Sequence, residues 1–389
     1  MRYRHLEKTN DDFSLLGYGC MRFPKKNGRI DMEESEKHII HAIENGVNYF
    51  DTAYTYGGHE KALGSILSKG YRDKVKIATK LPIPNLKKRE DIDKIFNIQL
   101  ERLQTDYIDY YLIHGLSSFQ QWEDLKSLGI LEFIKEEQEK GRIINIGFSA
   151  HTNLVNFKKI VDDYNWDVAM IQYNYIDENY QAGTDGLNYA HSKGLGIIVM
   201  EPLRGGMLVD KLPKEAQKIF KDYKIKRSSA EWGFRWLADN PKINVVLSGM
   251  STTEQLEENL KIFSNHQASS LSDEEKQIYK DVKDIFKSKL KVDCTGCGYC
   301  LPCPSNVDIP TCFSYYNDKA IFGSLMANIM YFVSTLENNS PAKNCTACGV
   351  CVNKCPQNIP IVDEIKKVSK KMDIWILRQI TKIVIKIIF

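Results

Sequence analysis

Eight of the ten cysteines in this chain form two compact runs near its C-terminal end. The first run contains Cys294, Cys297, Cys300 and Cys303, and the second contains Cys345, Cys348, Cys351 and Cys355. The 293 residues before them contain one cysteine, which excludes a disulfide framework spread over the chain. Thiolates at such short spacing are typical metal ligands. The sequence therefore predicts a local metal-binding domain at the end of a 389-residue chain.

The second run resembles the bacterial ferredoxins, in which C-x₂-C-x₂-C-x₃-C-P binds [4Fe–4S] clusters and the fourth cysteine serves the other cluster. The resemblance implies one cluster on Cys294, Cys297, Cys300 and Cys355, and another on Cys345, Cys348, Cys351 and Cys303. Only two residues separate Cys300 from Cys303, where the common pattern has three, so Cys312 is an alternative eighth ligand. Zinc is the competing metal, although zinc ribbons separate their cysteine pairs. Because 313–336 is long and apolar enough for helices, we expect a mainly α-helical two-cluster ferredoxin-like domain.

Eight short apolar segments alternate with helix-like segments in the first 265 residues. The predicted strands are 15–19, 47–50, 75–79, 107–113, 143–147, 168–172, 196–200 and 245–247. Continuous apolar runs are typical of parallel strands buried on both faces. Eight strand–helix units over about 250 residues predict an α/β fold, the (β/α)₈ TIM barrel. A doubly wound open sheet is disfavoured, because Gly17-Tyr18-Gly19-Cys20-Met21-Arg22 lacks the third glycine of its fingerprint.

These patterns divide the chain into four predicted parts. We expect the barrel over 1–265, a helical linker over 266–292, the ferredoxin-like domain over 293–366 and an amphipathic C-terminal helix over 367–389. Polar residues follow the predicted strands, and a barrel brings all these strand ends to one face. They are Asp51, Lys80, His114, Ser149, Gln172, Asn174, Glu201, Ser248 and Gly249. One polar strand end could be a satisfied core group, whereas the whole set predicts an active site.

The stretch Phe50-Asp51-Thr52-Ala53-Tyr54-Thr55-Tyr56-Gly57, followed by Lys80 and His114, resembles the catalytic tetrad of the aldo-keto reductases. The similarity covers roughly residues 1–265, and the cysteine tail resembles the group of that family with a ferredoxin-like domain. It implies that Tyr56 gives a proton to a carbonyl oxygen as a nicotinamide delivers hydride. A free tyrosine has a pKa near ~10, which the Lys80 ammonium is expected to lower while Asp51 keeps Lys80 charged. His114 is expected to orient the carbonyl. The alternatives are an ordinary buried ion pair for Asp51 and Lys80 and a satisfied core histidine for His114.

The cofactor contacts also follow from this resemblance. Ser149, Gln172 and Asn174 are expected to hold the carboxamide and the ring of NADP or NAD. The segment from Ser248 to Asn259 passes from a loop into a helix, whose first amides and hydroxyls could bind phosphate. Its candidate contacts are Ser248, Gly249, Ser251, Thr252, Gln255 and Asn259. A plain N-cap by Thr252 or Thr253 is the alternative. NADPH-specific reductases commonly carry Lys and Arg where Gly249 and Gln255 align, so the choice of nucleotide stays open.

The sequence further predicts an oxidoreductase acting on a small carbonyl or alcohol substrate. Hydride transfer moves two electrons and a cluster moves one, so a redox partner protein, or a flavin that no motif indicates, could connect them. Clusters that only hold the fold are the other alternative. A different function is electron transfer or redox sensing, with a barrel that binds nucleotide without efficient carbonyl reduction.

Charge and the chain ends give the remaining expectations. A net charge of +3 without basic clusters argues against nucleic acid binding, and no secretory signal is evident, so we expect a cytoplasmic protein. Arg378, Lys382 and Lys386 recur every four residues in the apolar C-terminal stretch. A basic amphipathic helix there could contact a membrane surface or a partner, or pack on the protein's own barrel.

Overall fold

The computed structural model describes residues 1–84, 86–323, 325–336, 339–379 and 381. The chain forms two compact units. The first comprises Met1–Glu178, Ala182–Gly205 and Arg227–Ser272, and the second comprises Asn179–Gln181, Gly206–Lys226 and Asp273–Phe389. Both units are thus discontinuous in sequence, because the segments 179–181 and 206–226 cluster with the C-terminal part of the chain.

The first unit is built on a closed barrel of eight parallel strands, which confirms the predicted fold class. The strands are β1 (Leu16–Gly19), β2 (Tyr49–Asp51), β3 (Lys76–Pro82), β4 (Ile108–Leu116), β5 (Ile143–Ala150), β6 (Val168–Gln172), β7 (Gly196–Met200) and β8 (Val245–Ser248). Consecutive strands pair in parallel, and β8 pairs with β1 to close the ring. β6 and β7 begin and end where the sequence predicts, whereas β4 runs three residues further, to Leu116.

Helices follow the strands of the barrel and cover its outside, and other helices belong to the second unit. In chain order the helices are α1 (Met32–Glu44), α2 (His59–Leu67), α3 (Arg89–Leu103), α4 (Phe119–Ser127), α5 (Ile130–Glu139), α6 (Leu154–Asp163), α7 (Gly183–Ser192), α8 (Met207–Asp210), α9 (Lys214–Asp222), α10 (Ser229–Asp239), α11 (Thr253–Asn265), α12 (Asp273–Lys289), α13 (Ile309–Phe322), α14 (Met326–Leu336) and α15 (Ile361–Met372). Side-chain caps set several starts: Asp31 accepts from the Glu34 N–H at α1, and Ser228 accepts from the Glu231 N–H at α10.

Two layers of apolar side chains stabilise the barrel. One fills its interior and includes Tyr49, Tyr110 and Met170. A hairpin of Tyr3–Leu6 and Asp11–Ser14, which the sequence analysis missed, adds Leu6 and Phe13 to this layer. The other layer lies between strands and helices. Because the strands are buried on both faces, most of their side chains are apolar, and the predicted site residues lie toward the strand ends.

The second unit is helical around the cysteine runs, as predicted. The apolar stretch 313–336 contributes to α13 and α14, which pack with α15. Their shared core includes Ile309, Phe313, Tyr331 and Val368. The last part of the expected C-terminal helix, with Lys382 and Lys386, lies outside the described residues. None of the helices in the described ranges has the length and apolar character needed to cross a bilayer.

Candidate active site and cysteine sites

Lys80 is the centre of the polar group at the strand ends. Its Nζ donates to Asp51 Oδ1 at 2.7 Å and to the Thr52 carbonyl at 2.7 Å, and it lies 3.5 Å from the Tyr56 hydroxyl. The Lys80 and Asp51 side chains are 1% and 5% exposed. Burial lowers the pKa of Lys80, but the Asp51 carboxylate outweighs this effect and raises it. Lys80 is therefore a fixed ammonium that links a carboxylate to a phenol.

The Tyr56 hydroxyl does not become more acidic in this structure. Burial raises the pKa of Tyr56 above its ordinary value, and the positive charge of Lys80 offsets only part of that rise. Lys80 lowers the pKa of the phenol as expected, but the net pKa is raised, because an anionic phenolate would lose its hydration and lie near the Asp51 charge. Tyr56 is accordingly a protonated donor at neutral pH.

His114 stands at the end of β4 with its ring 6.1 Å from that of Tyr56, at an interplanar angle of 82°. Burial lowers the pKa of His114 to about 3, and the charges of Lys80 and His151 act in the same direction. Its imidazole is neutral, so one ring nitrogen carries a proton that can be donated to an oxygen. The structure thus brings together all four residues of the predicted tetrad.

A buried polar network behind Lys80 was missed by the sequence analysis. Gln99 donates to the Lys80 carbonyl at 3.0 Å, to Thr79 Oγ1 at 3.0 Å and to Glu60 Oε1 at 2.8 Å. The Tyr111 hydroxyl donates to Gln99 Oε1 at 2.8 Å. The residues come from α2, α3, β3 and β4, so no local pattern could have joined them. The network fixes the strand that carries the ammonium.

The three residues expected at the nicotinamide end lie at neighbouring strand ends and are buried. Ser149 Oγ accepts from the Gly115 N–H at 2.8 Å. Gln172 and Asn174 both donate to Asp177 Oδ2, at 3.1 and 2.8 Å. Arg204 Nε lies 3.0 Å from the same carboxylate oxygen. Asp177 and Arg204, which sequence reasoning did not single out, therefore hold the two amides in place.

The segment leading into α11 forms the plain N-cap that the sequence analysis gave as the alternative to a phosphate site. Thr252 caps the helix by accepting from the Gln255 N–H at 3.3 Å. Gln255 Oε1 accepts from the Ser251 N–H at 2.9 Å, and Asn259 donates to Ser248 Oγ at 3.0 Å. These groups satisfy one another, so their arrangement needs no ligand.

Gly249 lies against the side chain of Arg22, a residue that the sequence analysis did not assign to the site. A Cβ at Gly249 would meet Arg22 Cβ at 2.9 Å, which explains why this position has no side chain. An arginine from the loop after β1 thus reaches the segment where the expected lysine and arginine are missing.

The eight cysteines of the two runs surround two hollows. The first site has Cys294, Cys297, Cys300 and Cys355, and the second site has Cys303, Cys345, Cys348 and Cys351. This grouping is the one that the ferredoxin resemblance implies. Cys312 lines neither hollow and is fully buried in the core of the second unit, so the geometry favours Cys303 as the eighth thiol. Cys20, outside the runs, is also buried.

The two cysteine sites repeat the same backbone design, which the sequence analysis did not notice. Gly296 and Ala347 both have left-handed backbone, with φ of 69° and 59°. Each donates its N–H to the first sulfur of its run, Cys294 or Cys345, at 3.4 Å. Left-handed asparagines, Asn306 and Asn358, follow the fourth cysteines. The signal in the sequence is the repeated C-T-[GA]-C-G-x-C…C-P-x-N pattern.

Each donor set consists of four thiols around one hollow. A zinc ion would need its four sulfurs within about 2.3 Å of one point. Four thiols spaced around a hollow, with backbone N–H groups aimed at sulfur, are suited to an iron–sulfur cluster.

Comparison with known proteins agrees with the structure of the barrel and with that of the cysteine-rich tail. Residues 15–280 match the sequence model of the aldo/keto reductase family. The chain belongs to this family. Residues 293–359 match the 4Fe-4S dicluster domain. The structure of aldo-keto reductase AKR11C1 from Bacillus halodurans, in its holo form, is similar with a TM-score of 0.61 and 25% identity, over 72% of this chain and 96% of that one.

Among sequence relatives, uncharacterized oxidoreductase YrpG of Bacillus subtilis is 27% identical over 330 residues, or 74% of this aldo/keto reductase and 96% of YrpG. L-galactose dehydrogenase of Arabidopsis thaliana is 28% identical over 283 residues, which are 66% of this chain and 86% of that enzyme. L-glyceraldehyde 3-phosphate reductase of Escherichia coli is 22% identical over 313 residues, 68% and 88% of the two chains. The family domain and these relatives make the protein an oxidoreductase with an iron–sulfur domain.

Proposed function

We propose that this aldo/keto reductase interconverts a small carbonyl compound and its alcohol with NADP or NAD, and that its tail carries two [4Fe–4S] clusters for electron transfer. The observation that supports the enzymatic part best is the contact of the Lys80 ammonium with the Asp51 carboxylate and the Tyr56 hydroxyl. An ordinary buried ion pair would not require a phenol as a third member beside a neutral histidine.

In this proposal Tyr56 donates its proton to the carbonyl oxygen, and in the opposite direction takes it from the alcohol. Lys80 stabilises the phenolate that results, since its positive charge lies 3.5 Å from the oxygen. His114 donates a hydrogen bond to the substrate oxygen from a neutral ring, so it orients that oxygen without competing as an acid. When bound, the nicotinamide supplies or accepts the hydride.

The cofactor is assigned to residues at the ends of β5, β6 and β8. Ser149, Gln172 and Asn174 would hold the carboxamide, because hydroxyl and amide groups complement its donor and acceptor. Asp177 would keep the two amides oriented. The phosphate end is assigned to the loop and helix start with Ser248, Gly249, Ser251, Thr252, Gln255 and Asn259. Arg22 would add the positive charge.

The tail is proposed to pass electrons between its two sites. Ile309 and Ile361 each line both hollows, so one layer of apolar side chains lies between them. Bound clusters supply one-electron transfer. Because hydride chemistry moves electron pairs, a redox partner protein is part of the proposal. Ten free cysteines favour a reducing compartment, and we place the protein in the cytoplasm. Exposed Trp375 and Ile376 support peripheral membrane contact of the C-terminal segment, which vesicle flotation would test.

Turnover with a tyrosine variant tests the enzymatic proposal. Protein purified without oxygen is given NADPH or NADH with small hydroxylated aldehydes, the substrate class suggested by the two named relatives, and with quinones. Tyr56→Phe should lower kcat by about 10²–10⁴-fold, the usual contribution of a general acid. Tyr54→Phe is the matched control, because that ring stacks on Arg102 and should leave kcat near wild type.

The outcomes separate the two candidate functions. Equal turnover by Tyr56→Phe and wild type would refute the tetrad. Tight nucleotide binding without turnover of any substrate would favour electron transfer or redox sensing instead. Iron and sulfide quantitation on the same samples should give about eight irons if both sites hold [4Fe–4S] clusters.

A further inference from the structure

The two cysteine sites differ in how far they are covered. Cys297, the second cysteine of the first run, is partly buried, whereas the equivalent Cys348 is exposed. A Cβ at Gly296 would lie 3.5 Å from the ring of Tyr180, while the equivalent Ala347 is exposed. The second cysteine of the second run, Cys348, is therefore more exposed to solvent than its equivalent in the first run.

The surface around Cys348 is apolar with a basic rim. Val350 and Val352 flank buried Cys351 and are 44% and 37% exposed. Lys343 and Lys354 are exposed. The sequence from 339 to 360, which contains the second run, has no acidic residue. We call Lys343, Cys348, Val350, Val352 and Lys354 the port face.

One carboxylate near the rim partly offsets this positive charge. Asp373 accepts from the Tyr331 hydroxyl and from the Lys343 backbone N–H, both at 2.9 Å, and its negative charge also acts on Lys343. On α15, Glu364 pairs with Lys367 at 2.7 Å. Among the described residues neither Lys343 nor Lys354 forms an ion pair within 4 Å, so both ammonium groups remain available to an acidic surface.

We propose that the port face docks an acidic one-electron carrier protein, and that the second site is where electrons enter or leave. This inference rests on the proposed function, because it assumes that the thiols hold clusters. An apolar centre with a charged rim is the usual anatomy of a protein interface, and opposite charge steers association. The carrier loses or gains one electron and the second site gains or loses it, with no bond formed and no proton moved. Electrons would then pass between the second and the first site across the apolar layer that contains Ile309 and Ile361.

Electron transfer to two haem proteins of opposite charge tests the port face. The full-length holoprotein is reduced, desalted without oxygen and mixed with oxidised cytochrome b5, which is acidic, or oxidised cytochrome c, which is basic. The variant is Lys343→Glu with Lys354→Glu. The matched control is Lys280→Glu with Lys287→Glu, which changes the net charge equally on exposed positions of α12.

The port-face variant should react about tenfold more slowly with cytochrome b5 at low ionic strength and faster with cytochrome c, because charge complementarity mainly changes the association rate. The control should react like wild type with both, and salt should remove the difference. Equal effects of the two double variants, or a wild-type rate with cytochrome b5 that salt does not change, would overturn the proposal. Iron content and the electron paramagnetic resonance of the reduced protein are measured first, so that absent clusters are recognised as failure of the proposed function.

Discussion

The buried pair of Asp51 and Lys80 allows a quantitative test of the site. Lys80→Met would leave the Asp51 carboxylate buried without its cation, and Asp51→Asn would leave the Lys80 ammonium without its anion. Both side chains are at most 5% exposed, so water cannot replace the lost partner. The double variant removes both charges together and leaves two uncharged side chains.

The expected energies follow from this burial. Removing one partner of a buried pair costs about 3–5 kcal/mol, and we expect the lower end because an orphaned carboxyl can take up a proton. The double variant should also cost about 3 kcal/mol, since the Thr52 carbonyl and the Tyr56 hydroxyl lose their shared donor. The sum of the single effects would exceed the double effect by about 3 kcal/mol, which is a strong coupling energy.

Urea denaturation measures these energies through tryptophan fluorescence. Four of the five tryptophans, Trp122, Trp166, Trp232 and Trp236, belong to the first unit, so the signal follows the barrel. Lys76→Met is the control, because Lys76 pairs with Asp11 and both side chains are more than 20% exposed. Loss of this pair should lower the free energy of unfolding by less than about 1 kcal/mol. Single effects that add to within about 0.5 kcal/mol would refute the buried pair.

Two further perturbations address the histidine and the cysteine sites. The pKa of His114, about 3, lies below the unfolded value of ~6.5, so the unfolded chain binds the extra proton between these values and stability falls as pH falls below about 6.5. His114→Gln should remove about 2 kcal/mol of the stability difference between pH 7 and pH 5 in urea titrations, and an unchanged difference would contradict the lowered pKa. Gly296→Ala places a side chain at φ 69° and should destabilise the tail by about 1 kcal/mol, seen as faster bleaching of the visible absorption on warming. Ala347→Gly, at the equivalent position, should not destabilise it, and equal bleaching of both variants would show that the left-handed backbone costs nothing there.

The sequence was sufficient for the barrel because its strands are buried on both faces. A strand of that kind shows a continuous apolar run, and its polar end then marks the site. The strand ends were predicted less well. The predicted strand ended at Ile113, whereas β4 continues through His114 and Gly115 to Leu116. The N-terminal hairpin was missed, since Tyr3–Leu6 and Asp11–Ser14 mix charged and apolar residues.

Partners that come from distant elements could not be read from the sequence. Asp177 and Arg204 meet at the end of β6 from loops 27 residues apart, and neither lies in a recognisable motif. Lys80 lowers the pKa of Tyr56 as predicted, but the net pKa is raised, because only the three-dimensional structure shows that the loss of hydration exceeds the effect of Lys80. The grouping of the cysteines was implied by the resemblance to ferredoxins, in which the fourth cysteine serves the other cluster, and the same grouping lines the two hollows.

The crossed cysteines set an order for biosynthesis. Three thiols of the first site lie within residues 294–300, but its fourth, Cys355, is the last cysteine of the second run to be translated. A message truncated just before that codon would yield all four cysteines of the second site and only three of the first. The second site therefore has its full set of thiols before the first site does, although three cysteines of the first site are made earlier.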